Sequence, residues 1–177
     1  MSEHEKISFL SKAWEVIESA ILYSRKDCQI PLSDQHEFRF FQLKEQEFSV
    51  VLADQKVNIF HFVWKEVDGA LELSHRIVHE DFRRRGIASK MMNLVELRAQ
   101  RLANESELPY RFGLQTSQLS VINLCRKMGL EMTEGKDYFD TLKFDMEDST
   151  THLSHKGYRI NFSMSKIIHP NIPALAQ

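Results

Sequence analysis

A mixed α/β (α+β) domain is the fold class the sequence predicts, and three observations carry that prediction. Apolar residues recur at helical spacing in the first 25 positions. Four runs rich in aromatic and β-branched residues follow, divided by short polar breaks. Helical spacing then returns after Gly86. With 177 residues, 42% of them hydrophobic and 27% charged, the chain suits one domain over residues 1–177 with its own core.

Ile7, Leu10, Trp14, Ile17 and Ile21 lie three and four apart, which predicts an amphipathic helix over about residues 7–25. Asp27 to Gln35, containing Pro31, Ser33 and Asp34, reads as a loop. The segments 38–43, 48–53, 57–65 and 70–78 read as consecutive antiparallel strands, with Val67-Asp68-Gly69 as the clearest hairpin turn. Ala88, Met91, Met92, Val95, Ala99 and Leu102 form one face of a second helix, which the polar 103–107 segment closes before Pro109. Tyr110 to Gln115 predicts another strand. Ser117 is placed to cap a third helix, with Leu119, Val121 or Ile122, Leu124, Cys125 and Met128 inward and Gly129 at its end. Tyr138–Phe144 and Tyr158–Ile167 complete the set as two last strands, and 168–177 reads as a loose tail.

Composition removes several function classes. Lys plus Arg is 23 against 25 Asp plus Glu, a net charge of −2, so a chain-wide nucleic-acid footprint is not expected. Two cysteines, Cys28 and Cys125, are too few for a disulfide framework or a metal knuckle, and no metal is expected. The polar start Met1–Lys6 lacks a secretory core, and no apolar run approaches the ~20 residues that span a bilayer. A soluble, cytoplasmic protein without a membrane partner is the expectation.

One stretch carries chemistry: Ile77-Val78-His79-Glu80-Asp81-Phe82-Arg83-Arg84-Arg85-Gly86-Ile87-Ala88-Ser89-Lys90. A strand enters a basic, glycine-containing turn from which a helix starts. The first N–H groups of a helix lack intrahelical acceptors and lie at its positive end, so such a turn suits an anion. Gly86 and Ala88 leave room for the backbone to approach a diphosphate. The plainer reading makes Arg83, Arg84 and Arg85 solvated charges before an ordinary helix.

Arg83-x-x-Gly86-x-Ala88 resembles the acyl-CoA signature of the GCN5-related N-acetyltransferase (GNAT) superfamily, Arg/Gln-x-x-Gly-x-Gly/Ala, in its setting after an apolar strand. About 40 residues on, Leu124-Cys125-Arg126-Lys127-Met128-Gly129-Leu130 resembles the second family signature, aliphatic-Tyr-x-Lys-x-Gly-Phe/Leu. The two fall in the family order and cover roughly residues 70–131. The fold implied is a single GNAT-like domain with a mixed, mostly antiparallel central sheet of about six to seven strands flanked by helices. The family's usual first strand, ahead of the helices, is not found in this sequence.

The resemblance implies acetyl-CoA as cosubstrate and direct attack by a primary amine of a small-molecule or peptide acceptor. It implies a splayed strand whose backbone at Arg76, Ile77 and Val78 pairs with the pantetheine arm, with the Val78 N–H polarising the thioester carbonyl. The pyrophosphate falls to the backbone of Arg84, Arg85, Gly86, Ile87, Ala88 and Ser89. Glu72 matches the position of a glutamate base in histone-type members. Strand alternation puts Glu72, Ser74 and Arg76 on one face and Leu73 and Ile77 on the other. The plainer reading of Glu72 is a solvated or ion-paired strand residue, and His75 and His79 are rival bases. Cys125 stands where many members carry a tyrosine that protonates the departing thiolate, and it also reads as a small buried hydrophobe. Gln118 stands for an asparagine that contacts the cofactor. Gly113 stands where some protein-N-terminal members carry a glutamate.

Two further readings compete. A non-catalytic acyl-CoA-binding module would keep the turn without the tyrosine. A nucleic-acid binder would use Arg83–Arg85 with Phe38, Phe40 and Phe41, but three adjacent arginines at net charge −2 support it weakly. Some family members dimerise by strand exchange near the C-terminus, which leaves a homodimer through the 158–167 strand open.

Overall fold

The structure, a computed structural model, describes residues 1–23, 27–44, 47–54, 57–141, 144 and 152–171. Four helices are present among them: α1 (Glu3–Leu22), α2 (Ile87–Ser106), α3 (Leu119–Lys127) and α4 (Lys136–Thr141). The strands are β1 (Cys28–Pro31), β2 (His36–Lys44), β3 (Glu47–Asp54), β4 (Asn58–Val67), β5 (Ala70–Val78), β6 (Tyr110–Thr116), β7 (Glu131–Glu134), β8 (Ser154–His155), β9 (Tyr158–Arg159) and β10 (Phe162–Ile168). Eight of them form one sheet in the order β1-β2-β3-β4-β5-β6-β10-β7, while β8 and β9 pair separately. Every pair in the large sheet is antiparallel except β5–β6. This is the expected mixed, mostly antiparallel sheet flanked by helices, with one strand more than the upper count.

The helix α1 begins earlier than its apolar spacing indicates. Ser2 and Glu5 form a reciprocal cap: the Glu5 N–H donates to Ser2 Oγ at 3.3 Å and the Ser2 N–H to Glu5 Oε2 at 2.5 Å. Its buried face is Phe9, Leu10, Ala13, Trp14, Ile17, Ala20 and Ile21, whereas Ile7 is exposed. Trp14 stacks on Phe60 with ring centroids 5.5 Å apart, and Phe40 stacks on Trp64 at 6.0 Å. With Phe38, Phe62, Leu71 and Leu73 from the sheet and Met91, Met92, Val95 and Ala99 from α2, these form the main core. Alternation along β4 buries Phe60, Phe62 and Trp64 on that face.

Four expectations are corrected. The 27–35 loop contains β1, a four-residue edge strand paired only with β2 and ended by Pro31, a residue tolerated where no further partner needs its N–H. Of the expected strand Tyr138–Phe144, Tyr138 to Thr141 belong to α4 and 142–143 lie outside the described residues; Phe139 packs edge-on against Phe162 at 5.4 Å. The 158–167 segment is broken at Ile160 into β9 and β10. The tail is held at its start: Ile168 ends β10, Gln100 Nε2 donates to the His169 carbonyl at 2.8 Å and the Asn171 N–H to Asn104 Oδ1 at 2.8 Å. Residues 172–177 lie outside the described residues, as do 24 and 25 of the predicted first helix.

Gly113 faces Ser165 across β6–β10, and a Cβ there would lie 2.9 Å from the Met164 carbonyl oxygen and 3.0 Å from Ser165 Cβ. That oxygen is backbone and cannot swing aside. Gly113→Ala is therefore expected to cost about 1–3 kcal/mol, read as a lower urea midpoint at unchanged m-value. The position has no room for the glutamate some family members place there.

Candidate functional site

β5 and β6 pair in parallel only from Ala70↔Arg111 to Leu73↔Leu114, although β5 continues to Val78 and β6 to Thr116. Past Leu73 and Leu114 the strands part, and a cleft opens between Ser74–Val78 and Gln115–Thr116. The His79 N–H donates to the Ile59 carbonyl at 2.7 Å. Antiparallel alternation then points Ile77 at β4 as well and turns the N–H groups of Arg76 and Val78 away from it, into the cleft.

The register of β4–β5 shifts between Val63↔His75 and Trp64↔Leu73, leaving Ser74 unopposed as a one-residue bulge. Ser74 Oγ donates back to the Val63 carbonyl at 3.1 Å. The bulge reverses the side-chain alternation, so the expected sharing of one face by Glu72 and Arg76 is corrected. Arg76 and Val78 follow Leu73 and Phe62 onto the helix-covered face; Glu72, His75 and Ile77 lie on the open face.

On the open face a cavity of about 320 Å³ is lined by Lys65, Glu72, Leu73, Ser74, Arg111, Leu114, Gln115, Thr133, Ser163 and Met164. Glu72 is ion-paired with Arg111, and both side chains are about half exposed. His75 meets His61 edge-on at 5.4 Å, and His61 shares a 2.9 Å hydrogen bond through Nε2 with Ser49. Burial, aided by the neighbouring His75, holds His61 below the usual histidine value. His79 Nδ1 accepts the Asp81 N–H at 3.3 Å, so this ring caps the turn that follows β5.

That turn is one 3-10 turn (Glu80–Phe82) and the residues Arg83–Gly86. Arg83 Nε donates to the Val78 carbonyl at 3.1 Å, closing it. Arg84 and Gly86 have φ of +61° and +71°, and Gly86 is the N-cap of α2. Having no side chain, Gly86 cannot cap the N–H groups of Ile87, Ala88 and Ser89, which stay without an intrahelical acceptor. A Cβ on Gly86 would meet nothing within 4 Å. The turn borders a cavity of about 240 Å³ formed by Val78, Phe82, Arg83, Arg84, Gly86, Ile87, Ala88 and Ser89.

The N-terminus of α1 braces the turn from behind. Phe82 is buried against Phe9 at 6.3 Å, and Lys6 Nζ donates to the Asp81 carbonyl at 3.4 Å. Arg85 Nη2 pairs with Glu3 Oε2 at 2.5 Å, and this bond holds the Glu3 carboxyl below its ordinary range. The Arg85 guanidinium therefore ties the turn to α1, leaving Arg83 and Arg84 as the exposed arginines.

Across the cleft, β6 leads into α3. Its N-cap is Gln118, one residue later than predicted, and Thr116 Oγ1 accepts the Gln118 N–H at 3.1 Å. Ser117 instead meets His152 through its hydroxyl. Gly129, at φ +79°, ends α3: its N–H donates to the Arg126 carbonyl and that of Leu130 to the Cys125 carbonyl, at 3.0 and 2.9 Å. Cys125 is fully buried, and burial pushes its thiol up to about 11 against an opposing pull from Arg76. Sequence reasoning missed Arg111 and Thr116. A parallel pairing leaves no mark that would have found Arg111, but a threonine two residues before a helix start does signal a turn.

The chain matches no family model and no curated protein. Solved structures similar to it include an IAA acetyltransferase from Bacillus cereus ATCC 14579, 15% identical, with a TM-score of 0.47 over 70% of this chain and 79% of that one. A GNAT family acetyltransferase from Elizabethkingia anophelis with acetyl-CoA bound is 15% identical, with a TM-score of 0.45 over 70% and 76%. An acetyltransferase from Bacillus subtilis in complex with CoA is 12% identical, with a TM-score of 0.44 over 71% and 78%.

Proposed function

We propose that this chain is an N-acetyltransferase of the GNAT superfamily, moving an acetyl group from acetyl-CoA to a primary amine. The observation that carries the reading is the continuity of two features. The cleft where β5 and β6 part runs into an uncapped helix start whose glycine leaves open space. A diphosphate fits the second feature and an extended arm with free hydrogen-bonding groups fits the first. Acetyl-CoA supplies the activated acyl group. The chain's residues bind and orient it: the backbone of Arg84–Ser89 for the pyrophosphate, the inward N–H groups of Arg76 and Val78 for the arm and the thioester carbonyl, and Gln118 at the cleft mouth.

The acceptor amine enters from the open face, through the cavity beside Glu72. A Lys-type amine is mostly protonated at neutral pH, its pKa being ~10.4, so its proton must leave before attack. Glu72 takes it directly or through water, in exchange for part of its contact with Arg111. His75, on the same face, is the alternative base, whereas His79 is engaged in the turn.

Titration with CoA by calorimetry, followed by acetyl-CoA consumption with polyamines, aminoglycosides, amino acids and peptides, tests the reading. Saturable CoA binding and turnover on at least one acceptor class are expected. Binding without turnover on any acceptor would favour the non-catalytic module, and absence of binding would remove both.

A further inference from the structure

Arg76 sits inside the cleft, midway between the parting point at Leu73 and the inward N–H of Val78. Its Nη2 donates to Thr116 Oγ1 on the opposite strand at 3.4 Å, while its Nη1 is buried with no hydrogen-bond partner. Its charge also acts on Cys125 of α3, so three elements converge on one guanidinium. Burial lowers the Arg76 pKa, yet an arginine remains cationic at neutral pH. A buried cation with an unused donor is costly, and an accepting atom on a ligand that enters the cleft would relieve that cost.

We infer that Arg76 holds the sulfur of coenzyme A as a thiolate when the acyl group leaves, with Thr116 fixing the guanidinium. The inference rests on the function proposed above. As the acceptor nitrogen bonds to the thioester carbon, the C–S bond breaks and its electron pair passes to sulfur. The proton of the amine goes to Glu72 or water. Arg76 keeps its own protons and donates Nη1–H to the sulfur anion, which takes a proton from solvent after release. Charge stabilisation suits this site better than proton donation by Cys125. A thiol pushed up to about 11 is a weaker acid than the ordinary thiol, of pKa ~8.5, that it would have to protonate.

The test needs no acceptor. The ultraviolet thiolate absorbance of CoA bound to the protein is titrated with pH, as a difference against the unliganded protein. Bound CoA is expected to ionise at least about one pH unit below free CoA, a tenfold shift. At CoA concentrations that saturate each variant, Arg76→Met, whose backbone N–H is unaltered, should lose that shift, while Arg76→Lys, which keeps the charge, should retain part of it. A bound thiol that titrates like free CoA, or a shift that persists in Arg76→Met, overturns the inference while leaving the transferase reading standing. Failure of the wild-type protein to bind CoA at all overturns both. If Arg76→Met does not fold, Arg76→Gln, which keeps a donor without the charge, must lose the shift for the inference to stand.

Discussion

Gly86→Asp is expected to leave the domain folded and weaken CoA binding by about a hundredfold or more, roughly 2.7 kcal/mol. Two contributions act together. At φ +71° any side chain is strained, by about 1–2 kcal/mol, although aspartate tolerates this region better than most residues. The new Cβ projects into space where no protein atom lies within 4 Å, so the fold has no reason to collapse around it. That space is where a diphosphate would meet the N–H groups of Ile87, Ala88 and Ser89, and a carboxylate there both competes for those donors and repels the ligand. Gly86→Asn separates the effects: it brings similar bulk and backbone strain without charge, and should lose less affinity. Calorimetry with CoA reads both variants, and circular dichroism checks the fold. An unchanged CoA affinity in Gly86→Asp would move the cofactor to another part of the molecule.

The elements that bury one face were the ones legible in sequence. Phe60, Phe62 and Trp64 alternate because β4 has one face on the core, and α2 shows Met91, Val95 and Ala99 at helical spacing for the same reason. β1 was hidden because four edge residues ending in proline bury too little to leave a pattern. α4 was misread because Tyr138, Phe139 and Phe144 look like a strand when counted by type. Only Phe139 is packed inward on the helix, with Phe144 meeting it from beyond the helix end. The capping pair Ser2 and Glu5 sets the start of α1 through local hydrogen bonds, which leave no trace in apolar periodicity.

The glycine turn before α2 was readable for a different reason: its features fall on the backbone. A glycine before a helix and a small residue two positions later are visible as letters, whatever the surrounding packing. The side chains around the cleft were not, because the single bulge at Ser74 reverses every position after it. Without it Arg76 would face the open side with Glu72; with it the guanidinium turns into the cleft toward Thr116 and Cys125. A one-residue irregularity thus decides which charged side chain turns into the cleft.

Glu66→Leu is expected to destabilise the protein by about 3–5 kcal/mol, the largest single effect on the fold. Glu66 of β4 receives Arg98 of α2 through two bonds, Nε to Oε1 at 2.8 Å and Nη2 to Oε2 at 3.0 Å, and Trp64 Nε1 donates to the same Oε1 at 3.3 Å. The side chains are only 9% and 13% exposed for Arg98 and Glu66, so removing the carboxylate takes a two-bonded counter-charge away from a largely buried guanidinium. In a domain of this size each kcal/mol moves Tm by about 2–4 °C, which predicts a fall of roughly 10 °C. The double variant Glu66→Leu/Arg98→Met should recover most of the loss, because it removes the buried guanidinium together with the carboxylate that balanced it. Arg98 lies about 16 Å along α2 from Ile87 at 1.5 Å per residue, too far to touch a ligand at the helix start. CoA affinity of the folded double variant should therefore match wild type. A double variant that regains stability but binds CoA weakly would mean that the ion pair also sets the angle at which α2 presents its N–H groups to the phosphate.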